Sequence, residues 1–236
     1  MIKKIKFFFI IILFLLTNNS YSLIEVDITR GNLNPLPIAV SPLFADEASN
    51  KELLKDINIK NLGENISLVI ENNLKRTGLF NTLDKNAFLQ NPDIAHLKPR
   101  FEDWALIKAQ ALITGQIKYD NSKLRVEFRL WDVLAGKEIV ALAFTTVPSN
   151  WRRIGHIISD KIYERLTGEK GYFDTRIIYV AEEGPKTKRV KKLAIMDQDS
   201  VNTKYLTLGN ELVLTPRFNP TNQMVTYLSY FKNLPR

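Results

Sequence analysis

Cysteine is absent from all 236 residues. No disulfide can staple the fold, and no thiol is available as a nucleophile or a metal ligand. Histidine is nearly absent, with only His96 and His156. A structural zinc site draws on four Cys or His ligands, and no H-E-x-x-H occurs, so that chemistry has no donor set. There is no Gly-x-Ser-x-Gly elbow, no Walker A loop and no dinucleotide fingerprint. Asp197 and Asp199 form an acidic pair in a turn-like segment, which a turn explains better than acid–base catalysis. His156 lies within an amphipathic helical pattern, where packing or a surface place outweighs ligation. The chain is therefore expected to be no enzyme and to need no cofactor or metal.

Long apolar runs are also missing, except at the start. Lys3, Lys4 and Lys6 precede ten unbroken apolar residues from Phe7 to Leu16, and a polar stretch ends at Ser22. This is the pattern of an export signal cleaved after Ser22, and the run is short for a membrane span. Removing residues 1–22 takes away three lysines and no acid, so the net charge falls from +8 to +5. That moderate excess does not by itself argue for nucleic acid. An exported chain without disulfides has to rely on its apolar core.

After the signal, Ile24, Val26 and Ile28 alternate with Glu25, Asp27 and Thr29. That period suits an edge strand, or an arm that pairs with a partner's sheet. Residues 37–44 read as a buried strand and 45–60 as a polar loop. A helix is expected from Asn61, with Asn61 as N-cap and Glu64 completing a capping box. Its apolar stripe is Leu62, Ile66, Val69, Ile70 and Leu74, and Gly78 stops it. A short strand at 79–83 and a helix over 101–109 follow. The strongest β signal is a three-stranded meander over 111–119, 124–131 and 139–147, in which Leu124, Val126, Phe128 and Leu130 share one face. Ser149 or Asn150 is expected to cap a last helix, with Ile154, Ile157, Ile158, Ile162 and Leu166 inward and Gly168 as its stop.

Beyond Gly168 the helical period disappears. Strands are expected at 176–182, 193–197, 204–207, 213–218 and 224–230. Tyr179 and Tyr227 sit in similar strand patterns 48 residues apart. A period of roughly 40–50 residues with several short strands points to propeller blades. The expected organisation is a signal peptide (1–22), a partner-binding arm (23–32) and an α/β domain of mixed sheet and flanking helices (33–168). A linker (169–174) and an incomplete β-propeller of about one and a half blades (175–236) complete it.

Several stretches resemble the TolB family, the periplasmic β-propeller proteins of the Tol–Pal envelope system. Residues 166–180, LTGEKGYFDTRIIYV, are similar to the family's junction between its N-terminal domain and its propeller. Residues 193–199, LAIMDQD, resemble its first-blade strand and acidic turn. Residues 216–223, PRFNPTNQ, resemble its repeated Pro-x-x-Ser-Pro-Asp-Gly turn, with Asn219 in place of Ser and Thr221-Asn222 in place of Asp-Gly. PIAV at 37–40, RTGLF at 76–80, LITGQ at 112–116 and WRRIGH at 151–156 fall in the family's order.

The resemblance implies a scaffold, with an α/β domain followed by a six-bladed propeller. It implies that Leu23, Ile24, Glu25, Val26, Asp27, Ile28 and Thr29 occupy the place of the segment that binds TolA. It also implies that the propeller binds the lipoprotein Pal, mostly through blades this sequence does not contain. Such proteins support outer-membrane integrity and constriction of the outer membrane at cell division. The competing expectation is an exported small-molecule or glycan binder with a degraded propeller. The basic run Lys186, Lys188, Arg189, Lys191 and Lys192 reads as a solvated hairpin loop or as a contact for anionic lipid headgroups or an acidic partner. Trp104, Trp131 and Trp151 read as core or rim aromatics, with Trp131 placed to meet a helix or partner.

Overall fold

The computed structural model describes residues 24, 26, 34–57, 61–222, 224–231 and 234–235. The expected signal peptide and Leu23, Glu25, Asp27, Ile28 and Thr29 lie outside them. The first half builds a six-stranded mixed sheet. Its strands are β1 (Leu36–Val40), β2 (Phe44–Ala45), β3 (Phe80–Thr82), β4 (Ala111–Asp120), β5 (Lys123–Asp132) and β6 (Lys137–Thr146). The order is β3-β1-β4-β5-β6, with β2 also pairing β4. β1 runs parallel to β3 and β4, while β4, β5 and β6 form the antiparallel meander. Asn121 and Ser122 both take positive φ in the β4–β5 turn, as a two-residue hairpin requires.

Two long helices cover one face, α2 (Leu62–Arg76) and α5 (Trp151–Thr167); α1 (Glu47–Ile57), α3 (Pro92–Ala95) and α4 (Phe101–Leu106) are the other α-helices among the described residues. The period-3.6 stripes and the period-2 strand meet as expected. Leu62, Ile66, Ile70 and Leu74 of α2, Ile154, Ile158, Ile162 and Leu166 of α5, and Leu124, Val126, Phe128 and Leu130 of β5 are all buried in one core. Gly155 allows the two helices to approach, since a Cβ there would lie 2.9 Å from the Val69 side chain. Gly63 is tighter: a Cβ would fall 1.9 Å from the carbonyl oxygen of Leu43. A smaller core on the opposite face gathers Ala39, Ala95, Trp104, Ala109, Leu112 and Val133. β4 is covered on both faces, so Ala111 to Gly115 are buried without alternation.

Four local expectations are corrected. Residues 45–60 are not a loop throughout, because α1 occupies 47–57. Asp46 accepts the Ser49 N–H at 2.7 Å, and Leu53 is buried, so one apolar anchor and one cap suffice. Asn61 does flank α2, but with φ 52°, and its side chain makes no capping bond. The helix expected over 101–109 ends at Leu106, and a short turn at Pro92–Ala95 was not foreseen. Neither Ser149 nor Asn150 caps α5 through its side chain; Pro148–Asn150 enter as a 3₁₀ turn, and the Asn150 amide bonds Thr146 instead. Gly168 ends α5 at φ 75°, as expected.

The second half holds two open three-stranded sheets. One is β7 (Arg176–Glu183), β8 (Val190–Asp197) and β9 (Lys204–Tyr205); the other is β10 (Leu212–Phe218), β11 (Val225–Phe231) and β12 (Leu234–Pro235). The fold is thus an α/β domain followed by part of a β-propeller. Tyr179 lies on an edge strand and Tyr227 on a central one, so their spacing does not join equivalent places. Asn219 and Asn222 shape the β10–β11 turn by accepting the N–H of Thr221 and Met224, each at 2.9 Å. Among the described residues no helix is long and apolar enough to cross a membrane.

Candidate functional site

Two places gather the residues singled out by sequence, and both lie on α5. At its C-terminal end are Ile24 and Val26, half-buried against the large core. The Val26 N–H donates to the Leu166 carbonyl at 2.7 Å. Carbonyls in the last turn of a helix lack intrahelical partners, and the arm supplies one. These two arm residues therefore rest on their own domain.

At the N-terminal end of α5, three of the quoted stretches converge. They are the end of α2, the first turns of α5 and the acidic turn after β8. Arg152 pairs with the Asp199 carboxylate, with only 22% and 12% of the two side chains exposed. Arg153 grips Asp174 through two parallel bonds of 3.0 Å, which raise the guanidinium's pKa further. Asp160 accepts the N–H groups of Phe173 at 2.6 Å and Asp174 at 3.0 Å, tying the segment after Gly171 to α5. Burial raises the Asp160 pKa, and those two donors oppose the shift.

Asn73 organises the centre. Its Oδ1 accepts from Arg76 at 2.9 Å and from Gln198 at 3.1 Å. Its Nδ2 is then fixed as the donor to His156 Nδ1 and to Ser159 Oγ, both at 2.9 Å. His156 Nδ1 is thereby an acceptor, which assigns the ring proton to Nε2. That Nε2 has no hydrogen-bond partner among the described residues and lies 3.6 Å from Asp199 Oδ2. Burial lowers the His156 pKa below 6.5, against the pull of Asp199, so the ring is neutral at pH 7.

Ligand atoms of His156, Asp197 and Asp199 lie within 4.8 Å of one another. They do not suit a metal ion, because Nε2 carries the proton and Arg152 already engages Asp199. The cluster is instead an ionic and hydrogen-bonded latch between the α/β domain and the first propeller sheet. Beside it opens a polar cleft of about 330 Å³, lined in part by Arg153, Arg176, Asp197 and Lys204. Asn73, Arg76, Gln198 and Asp160 were not read from sequence as site residues. Their only signal was a place in or beside the quoted stretches.

The other candidates resolve simply. In the basic run, Arg189 and Lys191 pair with Glu182 at 3.0 and 2.7 Å, and Lys192 pairs with Glu183 at 3.0 Å. Lys191 above all lowers the pKa of Glu182. Two carboxylates thus engage three of the five cations, and residues 182–192 keep a net charge of +3. Trp104 is core, its Nε1 donating to Gln90, while Trp131 meets α4 through Phe101 and donates to Thr114. His96 stacks on Phe44 at 4.5 Å.

Two family models match the chain: the TolB amino-terminal domain over residues 24–139 and the TolB beta propeller domain over residues 163–236. A curated relative, the Tol-Pal system protein TolB of Pelagibacter ubique (strain HTCC1062), is 76% identical over 217 residues, covering 92% of this chain and 49% of the relative. The crystal structure of TolB from Acinetobacter baumannii superposes with a TM-score of 0.67 at 25% identity, covering 88% of this chain and 47% of that one. The chain spans about half the length of both.

Proposed function

We propose that this chain, which belongs to the TolB family, is a periplasmic scaffold of the Tol–Pal envelope system that works by protein–protein binding without catalysis. The observation that carries this is the near-complete match of the chain to a protein named for that system. In this proposal the signal is removed after Ser22, and Leu23 to Thr29 bind TolA as an added strand. The α/β domain spans 33–168, residues 169–174 link it onward, and the propeller portion from 175 contributes to binding Pal. The assembled system supports outer-membrane integrity and constriction at division.

The arm's alternating pattern suits strand addition, in which backbone bonds supply affinity and alternate side chains supply register. Releasing Val26 from Leu166 gives up a backbone hydrogen bond, a net cost of about 1 kcal/mol, and also uncovers the half-buried Ile24 and Val26 side chains. A partner sheet replaces that bond several times over. The test is a pull-down of residues 23–236 with the C-terminal domain of TolA. Deletion of residues 23–29 is expected to abolish capture, and retained capture would contradict the assignment.

A further inference from the structure

The hydrogen bonds around Asn73 can point only one way. Arg76 carries donors and no acceptor, so it sets the direction of the network. Its Nη2 donates to Asn73 Oδ1 and to Gln198 Oε1, both at 2.9 Å. Gln198 Nε2 donates to the same Asn73 oxygen at 3.1 Å. Asn73 is left with Nδ2 for His156 Nδ1 and Ser159 Oγ. Ser159 in turn donates its hydroxyl proton to the Gly155 carbonyl at 2.8 Å, so its oxygen accepts.

This arrangement needs an unprotonated His156 Nδ1. A proton there sets its N–H against the Nδ2–H of Asn73. Turning the Asn73 amide over relieves that conflict but presents Nδ2 to Arg76 and Gln198, both donors. Turning Gln198 as well leaves Arg76 facing two NH₂ groups. No rotation of the amides satisfies Arg76 and a protonated His156 together. Asn73 is 1% exposed and His156 2%, so water cannot take over the lost bonds while the site is closed. The two sides of the site are not equally held. α2 and α5 are joined through the large core, with Val69 against Gly155. The turn after β8 reaches them through the side chains of Gln198 and Asp199.

We propose that this junction between the α/β domain and the first propeller sheet is a proton-operated latch. Protonation of His156 at Nδ1 releases Gln198 and lets the turn at 198–199 separate from α2 and α5. Charged groups surround the ring on every side. Arg76 stands on α2, and Arg152, Arg153 and Asp160 on α5. Asp174 precedes β7, Asp197 ends β8 and Asp199 follows it, while Arg176 and Lys204 line the adjoining cleft from β7 and β9. Burial lowers the closed-form pKa of His156; Asp199, Asp197 and Asp174 oppose that shift and Arg152 adds to it. Asp199 faces Nε2, so it does not relieve the conflict at Nδ1. In the open form the ring meets water and regains a pKa of about 6.5. Opening therefore takes up a proton. The open population should rise as pH falls below about 6.5, by up to about tenfold per unit, and level off below the closed-form pKa. The latch does not depend on the TolA-binding arm, whose Val26 rests at the other end of α5.

Residues 23–236 contain no cysteine, so Lys75→Cys on α2 and Val201→Cys beside the turn accept two spin labels. Both positions are exposed. Pulsed electron resonance should give one short distance at pH 8 and a longer one that grows toward pH 5. His156→Gln, which cannot titrate, should make the distances independent of pH. Asn73→Asp reverses the logic, because a carboxylate accepts from Arg76, Gln198 and the protonated ring together; acid should hold that variant closed. Distances unchanged between pH 8 and pH 5 in the labelled parent would overturn the proposal. Equal acid opening in His156→Gln or in Asn73→Asp would overturn it as well. So would loss of slow amide exchange in β5 over the same pH range, which would mark unfolding of the α/β domain instead of release of the turn.

Discussion

Replacing Asp199 with alanine distinguishes a turn that is latched to α5 from one that merely lies beside it. Exposed ion pairs contribute about 0–1 kcal/mol, because water and salt screen them. Removing one member of a fully buried pair costs about 3–5 kcal/mol, because the other charge stays desolvated. With 22% of Arg152 and 12% of Asp199 exposed, this pair falls between those limits, nearer the second. Arg152 Nε has no hydrogen-bond partner among the described residues, so loss of Asp199 leaves the guanidinium still poorer in acceptors. Each single alanine variant, at Asp199 or Arg152, is expected to cost about 2 kcal/mol. The double variant should cost little more than either, a coupling of about 1–2 kcal/mol. Urea unfolding of all four proteins measures this, with Trp151 fluorescence as a local probe, since the Arg152 guanidinium lies 5.9 Å from its ring. Strict additivity, with coupling below about 0.3 kcal/mol, would refute the latch.

Three other perturbations probe separate claims. The folded pKa of His156 lies below the unfolded value of about 6.5, so the unfolded chain binds a proton that the folded chain excludes. Stability should hold above about pH 6.5 and decline as pH falls toward the folded value, with Asp199, Asp197 and Asp174 softening the loss and Arg152 deepening it; His156→Gln should flatten the decline in denaturation midpoints. Gly63→Ala would place a methyl 1.9 Å from the Leu43 carbonyl oxygen and should lower stability by more than about 2 kcal/mol, whereas an unchanged melting temperature would mean that α2 shifts freely. Gln90→Leu strands the Trp104 Nε1–H and the Arg100 N–H, both of which donate to Gln90 Oε1, and should cost about 1–3 kcal/mol in chemical denaturation.

The parts legible in advance were those written as local periods. The stripes of α2 and α5 and the alternation of β5 each declare which side chains share a face, and burial follows from that. α1 was missed because its 11 residues carry three large apolar side chains, Leu53, Leu54 and Ile57, too few over so short a span to show a repeated stripe. The capping box at Asn61 failed for a different reason. Residue types allow a cap, but backbone dihedrals decide it, and Asn61 turned left-handed. The latch was illegible because Asn73 and Gln198 meet across 125 positions and share no local pattern.

By itself the sequence determined the α/β-then-β order, the faces of the main helices and strands, the lack of cysteine chemistry and the family. All of these depend on composition, short-range spacing or the order of short stretches. Only the tertiary structure decided that α5 holds arm residues at one end and a propeller turn at the other. It alone showed that Asn73 sets the His156 tautomer. Those properties depend on which surfaces come together, and chain spacing does not encode the distance between residues that only folding makes neighbours.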